Sequence, residues 1–156
     1  MNETLLSRLL AGDKEAVEAF GESDNCVVVD WRAGLPEILE AITPFVRRDY
    51  LRVERRAEGG YLVRAGSRDP QILEFPTRTK QEELFVAVNR ALLPDFELRQ
   101  YTPVDGDGYA LFLAPPTVWK SIELSHPQAT ERYFLSVERL AAYWRKGYFA
   151  RLFSKP

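Results

Sequence analysis

At 156 residues, 46% of them hydrophobic and 28% charged, the chain has the length and composition of one soluble globular domain with its own core. A net charge of −2 argues against a nucleic-acid binder or a disordered polyelectrolyte, and no apolar run approaches the roughly 20 residues that span a bilayer. A single cysteine, Cys26, excludes an internal disulfide framework, and Glu3, Arg8 and Asp13 interrupt the N-terminal leucines where a signal peptide needs an unbroken apolar stretch; a cytoplasmic protein is expected.

Residues 3–20 read as helix. Leu5, Leu6, Leu9 and Leu10 form one apolar patch, Val17 and Phe20 another, and Gly12-Asp13 breaks the helix between them. Gly21 ends it. Cys26-Val27-Val28-Val29-Asp30-Trp31 is a β-branched run that predicts a buried strand, with Asp30 capping the turn that follows rather than serving as a functional carboxylate. Gly34-Leu35-Pro36 opens a helix that buries Leu35, Ile38, Leu39 and Ile42 and that Pro44 stops near Ile42. Residues 50–57 alternate apolar and polar, Glu58-Gly59-Gly60 signals a hairpin turn, and 61–65 returns as its second strand. A third strand is expected over 71–75.

The stretch 79–119 organises the rest. Thr79 and Glu82 have the spacing of a capping box, and the helix 80–93 places Leu84, Phe85, Val88 and Leu92 on one face before Pro94. Residues 96–101 alternate as a strand, Asp105-Gly106-Asp107-Gly108 turns the chain, and 109–114 returns, adding Phe96, Leu98, Leu111 and Leu113 to the expected core. Pro115-Pro116 precedes a short helix carrying Trp119 and Ile122, broken at His126-Pro127. The last segment reads as helix: Tyr133, Val137, Leu140, Trp144, Tyr148 and Leu152 recur at steps of three and four, with Gly147 as a point of division. Residues 133–144 are expected to pack on the core and 148–156 to form a mobile tail. The sum is an α+β fold: one domain over 1–156, an antiparallel sheet of about five to six strands, helices mainly on one face, and a C-terminal amphipathic helix.

Charge is laid out in blocks. Residues 1–46 and 81–130 are acidic on balance, while 47–80 and 131–156 are basic. Such blocks suit a protein partner with a complementary pattern. Reactive constellations are harder to find. One Cys and one His exclude a structural zinc site, and an EF-hand begun at Asp105 meets Pro116 where its closing Glu belongs. Cys26 opens an apolar strand and reads as a small buried hydrophobe rather than as the nucleophile of a pair with His126. Glu97, Asp105, Asp107 and Glu54 offer carboxylates for acid–base work, but Glu97 and Arg99 share a strand face and read as a solvated charge pair. Gly59-Gly60 lacks the helix and lysine of a phosphate loop. No metal or cofactor is expected. Arg52, Arg56 and Arg64 with Tyr50 would make a basic, stackable sheet face for RNA, against which the interleaved Glu54 and the missing RNP aromatics weigh.

From 35 to 124 the expected order is helix, three strands, helix, two strands, helix. That order resembles the small α+β fold of bacterial type III secretion chaperones. Val28-Val29-Asp30-Trp31, Val88-Asn89-Arg90-Ala91-Leu92, Pro94-Asp95-Phe96-Glu97-Leu98-Arg99, and Asp105 through Leu113 with Trp119 are similar to an uncharacterised family of small bacterial α+β proteins. The first resemblance implies a role in holding a protein partner; the second implies no activity. A protein-interaction role is therefore preferred over catalysis, either as an immunity-type inhibitor or as a secretion-type chaperone, with a carboxylate hydrolase near the 105–108 turn and an RNA-binding module as alternatives. The partner-binding candidates are Arg52, Arg56 and Arg64 on the basic hairpin and Tyr148, Phe149, Arg151 and Phe153 on the terminal segment. A homodimer is left open.

Overall fold

The computed structural model describes residues 3–47, 49–75, 79–104 and 107–145. Helices α1 (Glu3–Leu10) and α2 (Lys14–Gly21) part where Gly12 takes the left-handed φ of +84°. Asp13 then caps α2: its carboxylate accepts the N–H groups of Glu15 and Ala16 at 3.0 and 3.2 Å and the Arg8 Nε at 2.7 Å. The Arg8 hydrogen bond, with the Ala16 amide behind it, holds this carboxyl below its ordinary value.

Strand β1 (Cys26–Asp30) leads into α3 (Leu35–Ile42) and a 3₁₀ turn over Thr43–Phe45. Strands β2 (Leu51–Arg55), β3 (Tyr61–Ala65) and β4 (Gln71–Leu73) form a meander, and α4 (Gln81–Leu92) follows. Then come β5 (Glu97–Tyr101), β6 (Gly108–Ala114), α5 (Pro116–Ser125), α6 (Pro127–Tyr133), β7 (Phe134–Ser136) and α7 (Val137–Arg145). The α+β class and the C-terminal helix are as the sequence predicts.

The strands divide between two antiparallel sheets instead of joining one: β1-β6-β5-β7, and β2-β3-β4. The meander is local in sequence and pairs only with itself, whereas β1 reaches across the chain to β6, with Val27 opposite Leu111. Helices cover both faces of the four-stranded sheet, where one face was expected. Val27, Val29, Leu98, Leu111 and Leu135 pack against α3, α4 and α7 on one side. Cys26, Tyr101, Phe112 and Phe134 pack against α1, α2 and α5 on the other. The cause is visible in β6, Gly-Tyr-Ala-Leu-Phe-Leu-Ala, which carries apolar side chains on both faces and so needs two covers.

Two local expectations give way. The capping box does not form: Lys80 is the cap residue of α4 and makes no side-chain capping bond, while Glu82 accepts the Tyr109 hydroxyl at 2.6 Å. The helix expected from 133 is interrupted by β7, which pairs with the open edge of β5, Tyr101 opposite Phe134. Phe134 and Leu135 thereby bury on opposite faces of the sheet. Thr102 clamps the crossing, its N–H bonding Tyr133 O at 3.0 Å and its Oγ1 donating to Arg132 O at 2.9 Å.

Candidate functional site

The β2-β3-β4 sheet turns Leu51, Val63, Ala65 and Leu73 into the core it shares with α3 and α4. Strand alternation then sends Arg52, Glu54, Leu62, Arg64 and Ile72 to the opposite face. The register sets Arg52 directly across from Arg64, and Glu54, Leu62 and Ile72 in one row beside them. The hairpin is closed by Arg56 N–H to Gly60 O at 3.2 Å and Gly66 N–H to Tyr50 O at 2.7 Å. Alternation between these bonds makes Arg52 and Arg64 a hydrogen-bonded pair, whose Cα atoms lie about 5.5 Å apart with side chains projecting together. Neither guanidinium has an ion pair among the described residues, so two like charges face each other uncompensated, an arrangement that costs stability. Ile72 beside them is 53% exposed.

Arg56, the third candidate arginine of the hairpin, differs. It is tied to Glu74 and lies 3.6 Å from Glu58, so its charge is already answered. Tyr50 does not offer a stacking face: its ring meets Phe96 edge-on at 5.2 Å, and its hydroxyl donates to Asp95 at 2.9 Å and accepts from Arg68 at 2.8 Å. Burial and the Asp95 bond raise its pKa. The structure thus brings together Arg52 and Arg64, and leaves Arg56 and Tyr50 in structural roles. Tyr148, Phe149, Arg151 and Phe153 lie outside the described residues, as do Asp105 and Gly106.

Among the described residues the candidate carboxylates do not converge. Glu97 pairs with Ala114 at one end of β6 and Asp107 precedes Gly108 at the other, a separation of roughly 20 Å at strand spacing. Glu54 belongs to the other sheet. Glu97 and Arg99 do pair, Nε to Oε1 at 2.6 Å, but not as a solvated surface contact: the Arg99 side chain is only 11% exposed. It also bonds Glu123 at 2.7 Å and lies over the Trp119 ring at 4.2 Å from the centroid, so the group ties β5 to α5. Cys26 is buried, and burial pushes its thiol up to about 12. A thiol so protonated is a poor nucleophile. His126, at the junction of α5 and α6, has its Nδ1 at 2.9 Å from Ser125 Oγ. Among the described residues no cluster of three or more His, Cys, Asp or Glu side chains is arranged to hold a metal.

One residue escaped the reading of the sequence. Gln81 opens α4 as an ordinary polar helix former, yet it is buried, and its Nε2 donates to Asp30 O at 2.6 Å and Ala33 O at 3.2 Å. It pins the turn that carries Trp31 and Arg32, where the Arg32 guanidinium covers the Trp31 ring at 4.6 Å. Asp30 closes the same turn by accepting Arg32 N–H at 2.7 Å, the capping role predicted for it. A cleft of about 490 Å³ runs beside this turn, walled by Tyr61, Phe75 and Leu84. The Gln81 Oε1 is shielded from solvent and has no hydrogen-bond partner among the described residues. Only its burial, which the sequence does not carry, marks Gln81 out.

No family model matches this chain, no curated protein matches it significantly, and no solved structure does either.

Proposed function

We propose that this chain is a protein-interaction domain of the immunity-inhibitor kind, which captures an acidic patch of a protein partner on the outer face of the β2-β3-β4 sheet. The observation that carries this reading is the uncompensated Arg52–Arg64 pair. The hairpin, anchored in the core, fixes the backbone positions of both arginines in advance, so binding has only their side chains left to order. A carboxylate placed between them relieves their repulsion and accepts charge-assisted bonds from both. Ile72 and Leu62 supply apolar contact at the flank. Charge of this kind steers encounter and weakens with salt. The secretion-chaperone form of the role asks for a long apolar groove for an extended segment, and the row Glu54-Leu62-Ile72 is short and begins with a charge.

The test begins with affinity capture from the native cell on the intact chain, followed by calorimetry against the partner identified. Replacing Arg52 and Arg64 together with glutamate is expected to weaken binding at least about a hundredfold, by turning two attractions into repulsions. Arg56→Ala changes little, because Glu74 and Glu58 already answer that charge. Unchanged affinity in the double variant, with loss on deleting 148–156, moves the site to Tyr148, Phe149, Arg151 and Phe153 and ends this assignment.

A further inference from the structure

The other sheet has an open edge of a different character. In the order β1-β6-β5-β7, strand β1 pairs only with β6, and no strand of the described residues lies on its far side. Trp31 N–H donates to Asp107 O at 3.2 Å, and Val29 and Val27 stand opposite Tyr109 and Leu111. Antiparallel alternation therefore turns the main-chain groups of residues 27, 29 and 31 toward β6 and those of 26, 28 and 30 outward. Two of the outward groups are already used: Cys26 N–H donates to Ser23 O at 3.1 Å, and Asp30 O accepts Ala33 N–H at 3.0 Å and Gln81 Nε2 at 2.6 Å. The groups left facing outward are Val28 N–H, Val28 C=O, Asp30 N–H and Cys26 C=O. The Val28 side chain is 65% exposed, the most open of the β1 valines. A groove beside it runs between β1 and the Glu37–Ala41 side of α3.

We infer that this edge pairs with the same edge of a second copy of the chain, joining two four-stranded sheets across a two-fold axis at Val28. With Val28 opposite its own copy, each Val28 N–H meets the other Val28 C=O, and each Asp30 N–H meets the other Cys26 C=O. Every free outward group is then satisfied, and the two groups already used, Cys26 N–H and Asp30 C=O, are the two that would otherwise face each other, so their engagement strands no free group. The neighbouring registers do worse. Centring on Val27 leaves Val28 C=O facing an N–H that Ser23 holds. Centring on Val29 sends Val28 N–H to an Asp30 carbonyl that already accepts two bonds. The symmetry is isologous and closes at two copies, and it removes an apolar edge that would otherwise invite open-ended pairing.

The inference uses the sheet that the proposed partner site does not, so either can fail alone. It is tested by sedimentation velocity of the full chain over a wide concentration range. A monomer–dimer equilibrium is expected. Val28→Lys should leave a folded monomer whose melting temperature matches that of the parent at dilutions where the parent is itself monomeric, since that side chain lies outside the core. Val28→Pro, which deletes an outward N–H that β6 does not use, should weaken the dimer at least about tenfold. A chain that stays monomeric throughout overturns the inference. So does a dimer indifferent to Val28→Lys or to Val28→Pro.

Discussion

Asn89 is almost wholly buried in the last third of α4, and both its amide oxygen and its amide nitrogen are hydrogen-bonded. Its Oδ1 accepts Leu98 N–H at 2.7 Å, and its Nδ2 donates to Glu138 at 3.1 Å. One side chain thus fixes the start of β5 and the first turn of α7 against one helix. Asn89→Ala leaves the Leu98 N–H buried without an acceptor, and should cost about 1–3 kcal/mol in chemical denaturation. A denaturation midpoint equal to that of the parent would refute this role. Cys26 makes a prediction of another kind. Burial lifts its thiol from an ordinary 9.0 to about 12, so the folded protein keeps a proton that the unfolded chain releases. The folded state binds more protons over that interval, and its stability must fall as pH rises through it. Below it the contribution is complete. The stability gap between the parent and Cys26→Ala should therefore narrow from neutral pH to pH about 10, where the unfolded thiol is ionised. A gap that stays constant or widens contradicts the buried, neutral thiol. The burial of Cys26 was legible in its apolar strand, whereas the role of Asn89 was not: it is a polar residue in a helical pattern, and only its tertiary surroundings make it structural.

At the scale of elements, apolar spacing was the most legible signal. Leu84, Phe85, Val88 and Leu92 share one face of α4 and all are buried, as are Leu98 and Leu111; Phe96 and Leu113 are partly covered by the same core. Phe85→Ala should lower stability by about 3–5 kcal/mol, and a midpoint unchanged within error would remove α4 from the core. The helix ends were less legible. The spacing of Thr79 and Glu82 suggests a cap, but Glu82 instead takes the Tyr109 hydroxyl from a strand far along the chain. At the other end, the Arg68 guanidinium donates to the carbonyls of Leu92 and Leu93 and to the Tyr50 hydroxyl. No local pattern announces an arginine reaching from one element to cap another. β7 was hidden for a related reason. Tyr133, Val137 and Leu140 fit a helical stripe, yet Phe134 and Leu135 between them bury on opposite sides, which is the period of a strand. The free edge of β5 decides between the two periods, and that edge exists only in the folded molecule. Of the candidate site, the basic hairpin was legible as composition, whereas the pairing of Arg52 with Arg64, and the neutralisation of Arg56, required the register.

For the molecule as a whole, the two sheets differ in how they are held. Strands β5 and β6 lie inside the four-stranded sheet with helices on both faces, and Leu98 and Leu111 are fully buried there. The β2-β3-β4 sheet is covered on one face only. Its β4 is three residues long, and four of the five residues of β2 are exposed. It joins the core through Leu51, Val63, Ala65 and Leu73, and through the Arg68 clamp on α4. Local opening follows the amount of apolar surface that must be exposed, so the smaller sheet should open below the free energy of global unfolding. Hydrogen exchange followed by mass spectrometry should find the amides of β2 and β4 exchanging well before those of β5 and β6. Arg68→Ala should widen that gap by accelerating the meander while leaving β5 and β6 nearly unchanged, since the clamp holds the smaller sheet to the helix rather than the helix to the larger sheet. Exchange that is uniform across both sheets would mean that the molecule opens only as one unit. The proposed capture surface would then stand on a scaffold as rigid as the core, and the Arg68 variant would slow or speed every strand alike.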